Sequence, residues 1–378
     1  MHPAGLAVTR SSNCVGFKSG RDHMPDGVDM TRVRLVVPNF KRRLSGVTST
    51  IIQLVPLQTG LDVATLGPGL PDTLPKIRWW QVPALLRRPS GGGQRVWHAR
   101  RNTEMLGGLV LRHVLRAPMA LVFTSASQRK HTGWTKFLIR RMDAVIATSR
   151  KTAAYLEVPN TVVMHGIDTA RFVPPADKGA AAAAVGLDPA QRYVGCFGRI
   201  RHQKGTDLFV DTMLALLPKY PGWTALIAGR TTAEHTGFEK ELRERIAKAG
   251  LTERIRFVGE HRDIENWYRA LSLYIAPQRW EGFGLTPLEA MASGAPVVAA
   301  DVGAFSELVV PGVTGEIVSA GDLAAMTAQA ERYLGDPALV DEQAAASVDH
   351  VARHFPLERE ARQLAEIYAR FGVAEHSA

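Results

Sequence analysis

The chain alternates short apolar runs with stretches in which apolar residues recur every three or four positions. The runs have the length and β-branched content of buried strands, and the stretches between them have the spacing of amphipathic helices. The predicted strands of the first half are VRLVV (33–37), RVWHAR (95–100), MALVF (119–123), AVIAT (144–148) and TVVMHG (161–166), with helices at 46–58 and 132–142. This alternation predicts a parallel sheet covered by helices.

The alternation pauses at PPADKGAAAAAVGLDPAQ (174–191), whose proline, glycine and alanine residues indicate a linker over 176–191. It then resumes with YVGCFG (193–198), TALIAG (224–229), IRFVG (255–259), LYIAP (273–277), PVVAA (296–300) and GEIVS (315–319). We therefore predict an α/β protein with two doubly wound, Rossmann-like domains, 31–175 and 192–355, that face each other across a cleft. The predicted boundaries leave a disordered extension over 1–30 and a C-terminal helix within 356–378 that packs back on the first domain.

The composition indicates the class of protein and the cellular compartment. The 378 residues are 46% hydrophobic, as in ordinary globular proteins, and no apolar run is long enough for a transmembrane helix. The two cysteines, Cys14 and Cys196, lie far apart and lack metal-ligand spacing. A reduced, cytoplasmic compartment is therefore expected.

The charge is unevenly distributed. Residues 1–175 contain 25 Lys and Arg against 9 Asp and Glu, a net charge of +16, whereas residues 176–378 contain 21 against 27, a net charge of −6. A basic half joined to an acidic half predicts that the first half meets an anionic partner. Nucleic acid, an anionic membrane surface and an acidic acceptor molecule all fit this pattern, and charge that serves only solubility is the alternative.

A candidate site lies in QRWEGFGLTPLEAMASG (278–294), where Glu281 and Glu289 flank a glycine-rich turn between a predicted strand and a predicted helix. Thr286 as N-cap and Glu289 three positions later would form a capping box, which gives Glu289 a structural explanation. Glu281 precedes the helix, so capping does not explain it. Because glycines let backbone approach a ligand and helix N-termini bind anions, the segment predicts a diphosphate site flanked by carboxylates that accept hydrogen bonds from sugar hydroxyls.

A second candidate lies in GCFGRIRHQKGTDLFV (195–210), which puts Arg199 and Lys204 on one strand-to-helix loop. Two cations there would stabilise a departing nucleotide diphosphate. One charge pair at about 4 Å is worth roughly 4 kcal/mol at an effective dielectric constant of 20, and a millionfold acceleration needs about 8 kcal/mol. The interaction energy of two such contacts would therefore be large enough to matter for catalysis. A basic loop exposed to solvent would show the same sequence pattern.

The sequence FGR, followed after four residues by KG and downstream by EGFGLTPLEAMASGAPVVA, resembles the retaining glycosyltransferases of family 4, which have the GT-B fold. The segments RMDAVIATS (141–149), VMHGIDTARFVP (163–174) and IRFVGEH (255–261) extend the resemblance to about residues 33–372. It implies that Arg199 and Lys204 bind the donor diphosphate, while Glu281 holds hydroxyls of the transferred sugar and Glu289 the nucleotide ribose. The implied donor contacts also include Gly46, Gly259, Gly282, Phe283, Gly284, Leu285 and Thr286.

Three segments of the first half, 38–54, 97–112 and 123–143, resemble the lipopolysaccharide core mannosyltransferases. This resemblance implies retaining transfer of mannose from GDP-mannose to Kdo of the lipid A-linked inner core. It also implies a catalytic role for His98, together with Arg199, Lys204 and Glu281. The candidates for binding the acceptor's carboxylate and phosphates, which guanidinium groups match, are Arg42, Arg43, Arg100 and Arg101.

The sequence contains no Asp-x-Asp motif, so we expect no metal and no cofactor beyond the nucleotide sugar. The expected partners are that donor, a Kdo-containing lipid acceptor and the cytoplasmic face of the inner membrane, without nucleic acid. Two alternatives stay open. One is a family 4 transferase that uses a UDP-sugar or another donor for a different glycolipid or polysaccharide. The other is a non-catalytic basic protein that binds anions, membranes or nucleic acid and does not need Glu281.

Overall fold

The computed structural model describes residues 27–42 and 46–374, and its first half is built on a parallel sheet. The strands of this sheet are β1 (Leu35–Pro38), β2 (Val63–Leu66), β3 (Lys76–Ile77), β4 (Arg95–Ala99), β5 (Met119–Ser125), β6 (Ala144–Ala147) and β7 (Thr161–Val162). The helices are α1 (Gly46–Leu54), α2 (Asn102–Leu109), α3 (Gly133–Ile139) and α4 (Arg150–Ala153), with 3₁₀ segments at Val55–Leu61 and Trp79–Leu86 and a π-helical turn at Val110–Val114.

The second half repeats the arrangement. Its strands are β8 (Arg192–Phe197), β9 (Trp223–Ala228), β10 (Ile255–Gly259), β11 (Leu273–Ala276), β12 (Val297–Ala300) and β13 (Gly315–Val318). Its helices are α5 (Lys178–Ala184), α6 (Thr206–Leu216), α7 (Thr236–Lys248), α8 (Ile264–Ala270), α9 (Thr286–Ala292), α10 (Phe305–Leu308), α11 (Leu323–Gly335), α12 (Pro337–His354) and α13 (Leu357–Ala369). None of the helices described has the length and apolarity that crossing a bilayer requires.

The strand orders confirm the predicted fold class. The sheets run β3-β2-β1-β4-β5-β6-β7 and β10-β9-β8-β11-β12-β13, and all pairings between these strands are parallel. In each sheet the chain winds outwards in both directions from a central pair, β1 with β4 and β8 with β11. Ligands of such sheets bind beyond the carboxyl ends of the strands at this switch point, which locates the expected site in both halves.

Strands β2 and β3 were not predicted from the sequence. β2 is four residues long and fully buried, and β3 is two residues long. Such short segments show neither the alternation of a half-buried strand nor a long apolar run. They extend the sheet beyond β1, where β1 pairs with β2 along its whole length.

The predicted linker contains a docked helix. Asp177 caps α5 by accepting a hydrogen bond from the amide of Ala180, and Ala182 and Leu187 are buried in the core of the second half. The Nζ atom of Lys178 donates to the carbonyl oxygens of Leu271 and Gly294. The run of alanines therefore acts through its high helix propensity rather than as a flexible connection.

Helix α13 returns from the second half to the first. Leu357, Leu364 and Tyr368 are buried in the same apolar cluster as Leu35 and Val37 of β1. Each fully buried aliphatic side chain contributes about 1.5–3 kcal/mol, so this helix is a substantial part of the first half's core.

The amino-terminal boundary of the first half lies earlier than expected. Residues 1–26 of the predicted extension lie outside the described residues. Met30 also belonged to that extension, but its side chain is buried at 8% exposure and its carbonyl accepts a hydrogen bond from Arg95 at 2.8 Å. Residues just before the first predicted strand thus form part of the core.

Candidate active site

The carboxyl edges of the two sheets face each other. Gly282, which follows β11, lies so close to the loop after β5 that a Cβ atom at this position would be 2.6 Å from the carbonyl oxygen of Ala126. Near the other end of the contact, the Glu307 carboxylate accepts hydrogen bonds at 3.0 Å from the amides of Arg150 and Lys151. Lys151 also forms an ion pair with Asp301. The two halves therefore touch along the cleft where the sequence places the site.

Lys204 and Glu281 meet in this cleft. The Nζ atom of Lys204 forms an ion pair with Oε2 of Glu281, and both side chains are about one-fifth exposed, at 19% and 18%. The other carboxylate oxygen of Glu281 accepts a hydrogen bond from the amide of Gly282 at 3.0 Å. The structure thus joins the cation after β8 to the carboxylate after β11, at the switch point of the second sheet.

Neighbouring contacts hold the two loops together. Arg279 forms two hydrogen bonds with the Asp207 carboxylate, at 2.7 and 2.8 Å, and its amide donates to the carbonyl oxygen of Gln203. Gly205 has a φ of +71°, and a Cβ atom there would lie 1.9 Å from the carbonyl oxygen of Pro277. Only glycine fits this position without displacing backbone, so the local sequence fixes where Lys204 points.

Arg199 and Gly259 lie at the carboxyl ends of β8 and β10, and both are exposed. Arg199 lies on the same loop as Lys204, between β8 and α6, whereas Gly259 ends β10, an edge strand of the second sheet. Within residues 27–42 and 46–374, no cluster of three or more His, Cys, Asp or Glu side chains is placed to hold a metal ion.

The predicted capping box at α9 is wrong. The helix starts at Thr286, and Leu285 occupies the cap position with helical angles, φ −79° and ψ −21°; among the described residues no side chain caps it. Because Thr286 is already helical, Glu289 is not needed by the helix terminus. Its Oε2 atom instead accepts a hydrogen bond at 2.8 Å from the Tyr268 hydroxyl, and burial raises the pKa of the Glu289 carboxyl.

The turn before α9 contains partly exposed residues and one buried residue. Gly284 has a φ of +87°, and Gly282, Leu285 and Thr286 are partly exposed. The Phe283 side chain is 4% exposed and belongs to the apolar core. Its predicted donor contact therefore involves the backbone only.

His165, whose role the sequence left unassigned, lies behind this turn. Its ring packs edge-on against the ring of Phe283 with 4.9 Å between centroids, and Nδ1 is 2.7 Å from Oε1 of Glu360 in α13. The second Glu360 oxygen accepts a hydrogen bond from the amide of Gly166 at 2.9 Å. His165 thus connects the turn before α9 to α13.

His98 is fully buried at the end of β4, with both ring nitrogens occupied. Nδ1 lies 2.6 Å from the Tyr368 hydroxyl, and Nε2 lies 2.7 Å from Oγ1 of Thr124. Burial, with a smaller contribution from the charge of Arg100, holds the pKa of the His98 imidazole well below its usual value. These contacts describe a neutral side chain that ties α13 to the first sheet, and its predicted catalytic role stays a prediction.

His98 is expected to make folding stability depend on pH below neutrality. As the pH falls below about 6.5, His98 becomes protonated in the unfolded chain but stays neutral in the folded chain. The free energy of unfolding therefore decreases by up to about 1.4 kcal/mol per pH unit. Chemical denaturation at pH 6.5 and 5.5 should give a smaller loss for His98→Gln than for the unmodified chain. The exposed His113→Gln is the control, and equal losses in all three proteins would contradict the assignment.

The basic residues of the first half are not equivalent. Arg42 is exposed after β1, Gly46 begins α1 nearby, and Arg43 lies outside the described residues. Arg101 forms an ion pair with the buried Glu104 at 2.7 Å and donates to Asn39 at 2.7 Å. Arg101 therefore has a structural role that its predicted contact with the acceptor did not anticipate.

Several side chains that shape the site were missed from the sequence. Tyr268 holds Glu289, Tyr368 and Glu360 come from the C-terminal helix, and Glu307 bridges to the first half. The only available signal was the C-terminal helical pattern itself, since it predicted a return to the first domain without indicating which polar side chains it would bring.

Comparisons with known proteins identify the family of the chain. Residues 191–336, which contain the Lys204–Glu281 pair, match the family described as glycosyl transferases group 1. The lipopolysaccharide core biosynthesis mannosyltransferase LpsB of Rhizobium meliloti is 61% identical over 345 residues, covering 90% of this chain and 98% of that protein. The mannosyltransferase LpcC of Rhizobium leguminosarum bv. viciae, named for the same biosynthesis, is 55% identical over 90% of this chain and 97% of that protein.

Solved structures show the same fold at low identity. Anabaena Alr3699/HepE in complex with UDP has a TM-score of 0.77 at 19% identity, over 89% of this chain and all of that one. Sucrose-phosphate synthase from Thermosynechococcus elongatus has a TM-score of 0.74 at 21% identity, over 90% of this chain and 99% of that one.

The two facing doubly wound halves and the conserved fold of these neighbours define a glycosyltransferase of the GT-B class. Within it, the chain belongs to the family of the lipopolysaccharide core biosynthesis mannosyltransferases.

Proposed function

We propose that the chain transfers mannose from GDP-mannose to Kdo of the lipopolysaccharide inner core, with retention of configuration and without a metal ion. The observation that carries this proposal is the 61% identity to LpsB over 98% of that protein, which extends through both halves. The first half would then be expected to hold the acceptor and the second half the donor.

The Lys204–Glu281 pair supplies the chemistry of the donor side. A bound diphosphate would replace Glu281 as the partner of Lys204, and the released carboxylate would accept hydrogen bonds from hydroxyls of the transferred sugar. Arg199 and the backbone around Gly284 would complete the phosphate site, with Glu289 on the ribose. Charge that develops on the departing diphosphate would thus be met by Lys204 and Arg199, and the acceptor hydroxyl would attack from the same face.

Closure of the cleft protects the donor. The contacts of Glu307 with the amides of Arg150 and Lys151 join the edges of the cleft, while the side chains of Lys204 and Glu281 are 19% and 18% exposed. Excluding water in this way strengthens the charge interactions and disfavours hydrolysis of the nucleotide sugar.

Donor and acceptor are tested together with the purified full chain. GDP-mannose, UDP-glucose, UDP-galactose and ADP-heptose are offered separately with Kdo-containing lipid A, in EDTA and no added metal. Product from GDP-mannose alone supports the proposal, and its anomeric configuration, read by NMR, tests retention. Product from a UDP-sugar would replace the mannosyl assignment, and loss of product in EDTA would overturn metal independence.

We propose further that the first half rests on an anionic membrane through a face formed by α2, α3 and the Trp79–Leu86 segment. With the turn that follows α2 included, its large exposed apolar side chains are Trp79, Trp80, Leu86, Leu106, Val110, Val114, Leu115, Trp134 and Phe137. Phe40 joins its parts, since it lies 6.5 Å from the Trp79 ring and contacts Gly107 of α2. Exposed aromatic residues beside cations are typical of membrane-surface contacts.

The four arginines in the turns that follow α2 and α3 differ in availability. Arg116 is exposed, and Arg140 is 61% exposed with a long 3.9 Å contact to Glu157. The Arg141 guanidinium lies 3.5 Å from the centre of the Phe137 ring. Arg112 is committed to an ion pair with Asp143. Arg116 and Arg140 are therefore the best placed to meet lipid phosphates.

Replacing Arg116 and Arg140 by glutamine is expected to reduce binding to vesicles that contain anionic lipid by about 30-fold, since each of the two cations near such a surface contributes about 1 kcal/mol. Trp79→Ser with Trp80→Ser should reduce binding to both anionic and neutral vesicles. Sedimentation with vesicles measures both effects, and Val313→Ser, which alters an exposed apolar side chain of the other half, is the control. Unchanged sedimentation of the double variants would exclude this face.

A further inference from the structure

A second polar cavity lies in the first half, beside the donor turn. It has a volume of about 370 Å³ and is formed at the carboxyl ends of β4 and β5 and by the loop that leads to α3. Ala126 is one of its walls, and the carbonyl oxygen of this residue faces Gly282, next to Glu281. The cavity therefore adjoins the place where the donor sugar is expected, on the opposite side of the cleft.

The lining of this cavity is basic and rich in hydrogen-bonding groups. Arg100, Arg129 and Lys130 contribute cations, and the hydroxyls of Ser125 and Ser127 lie with them. Among the described residues, no Asp or Glu lines the cavity. This composition favours an anionic occupant.

Two buried polar atoms on this wall lack hydrogen bonds. Within the described part of the chain, neither Nη1 of Arg100 nor Nε2 of His131 has a hydrogen-bond partner. Arg100 does have acidic neighbours, because Glu104 and Glu360 act on its charge, but burial still lowers its pKa. A buried donor without a hydrogen bond is costly, and more so when it is charged, so a ligand that supplies acceptors here would be bound firmly.

The adjacent arginine, Arg101, is in a different state from Arg100. The guanidinium of the next residue, Arg101, donates hydrogen bonds to Glu104 and Asn39. Arg100 donates to Glu104 only through its backbone amide, at 2.8 Å. The sequence does not distinguish the two arginines. In the fold, Glu104 and Asn39 hold the Arg101 side chain, whereas Arg100 lines the cavity.

We propose that this cavity binds an anionic substituent, carboxylate or phosphate, of the acceptor sugar. Arg100 is its main charge partner, Ser125, Ser127 and His131 are its hydrogen-bonding groups, and Arg129 and Lys130 attract the acceptor at the rim. The volume suits one sugar residue rather than a nucleotide, since it lies near the lower end of the range of about 300–1,000 Å³ for ligand sites. Binding there would orient an acceptor hydroxyl towards the donor; this inference rests on the proposed function.

The test uses the full chain, GDP-mannose and three soluble acceptors: a Kdo glycoside, its methyl ester, and a phosphorylated Kdo glycoside. Arg100→Gln is expected to raise the KM for the acceptor by about 10- to 100-fold, the range for a lost hydrogen bond to a charged group, and to leave the KM for GDP-mannose within twofold. The control is Arg88→Gln, an exposed cation of the same half. Arg129→Ala with Lys130→Ala alters only exposed side chains and replaces Arg100→Gln if that variant does not fold.

The acceptors identify the anion. If the carboxylate is bound, the methyl ester is a poor acceptor for the unmodified chain and Arg100→Gln has no further effect on it. If phosphate is bound, Arg100→Gln impairs only the phosphorylated glycoside. An acceptor KM that stays within twofold for every variant, or a matching rise in the KM for GDP-mannose, would overturn the proposal.

A readout without turnover separates this inference from the proposed function. Ligand-observed NMR measures binding of the same glycosides to the full chain without any donor. If the chain transfers no mannose but the signal is present and is lost in Arg100→Gln, the cavity is retained and the transfer reaction is wrong. If the signal is equal in both proteins, or absent from both, the cavity proposal is wrong.

Discussion

Glu281→Ala is expected to lower kcat by about 10²- to 10³-fold, the usual cost of removing one preorganised group that acts on the transition state. The carboxylate is partly buried, faces Lys204 and is held by the amide of Gly282. A group so placed can accept hydrogen bonds from the sugar while charge develops at the anomeric carbon. Initial rates with GDP-mannose and a Kdo acceptor measure the change.

A matched control tests whether the fall in kcat is specific to Glu281 or follows from the loss of any carboxylate in the same half. Glu260 follows β10 in the same half, is 63% exposed and makes only a 3.7 Å surface contact with Arg230. Glu260→Ala should keep kcat within twofold, and both variants should unfold at similar denaturant concentrations. GDP should still bind to Glu281→Ala. Retained turnover in Glu281→Ala would refute the assigned role. Anion binding without turnover in both the unmodified chain and Glu281→Ala would favour the non-catalytic alternative.

The fold was predictable because many of its strands are buried on both faces. Val297–Ala300 and Leu273–Ala276 are entirely buried, and strands in such a position appear as continuous apolar runs. The alanine-rich segment of α5 was misassigned because its composition suggested a linker, while its capping by Asp177 and the burial of Ala182 depend on the rest of the fold.

The meeting of Lys204 and Glu281 was predictable because both residues are close in sequence to strand ends. Lys204 and Glu281 each follow a recognisable strand, and the parallel arrangement brings those ends together. Partners contributed from far along the chain could not be predicted. Tyr368 reaches His98 from 270 positions away, and no local pattern indicates that pairing.

The sequence also fails to distinguish two adjacent residues on the side where the acceptor is expected. Arg100 and Arg101 are adjacent and chemically identical, yet Arg101 is paired with Glu104 and Arg100 lines the cavity. The direction of each side chain is set by the strand end and by α2, which the sequence places only approximately. Residue type therefore predicted that the first half would be basic, and only the packing separates structural cations from candidate ligands.

Lys204→Ala is expected to lower kcat/KM by about 10²- to 10³-fold, through loss of the cation that faces the leaving diphosphate. Lys204→Arg keeps the charge and should recover part of the activity. Arg199→Ala should have a smaller effect, because Arg199 is exposed and its charge is screened by solvent and salt. The control is Lys219→Ala, which removes a cation that is 60% exposed and paired with Glu331 on the surface.

The double variant Lys204→Ala with Glu281→Ala tests whether the two side chains act as one unit. If donor binding separates the pair and gives each partner a role on the same transition state, the combined loss in kcat/KM should be clearly smaller than the product of the single losses. Independent roles would instead give multiplicative losses. A single loss below tenfold for Lys204→Ala would mean that the ion pair only holds the two loops together, and the phosphate site would then depend on Arg199 and the backbone around Gly284.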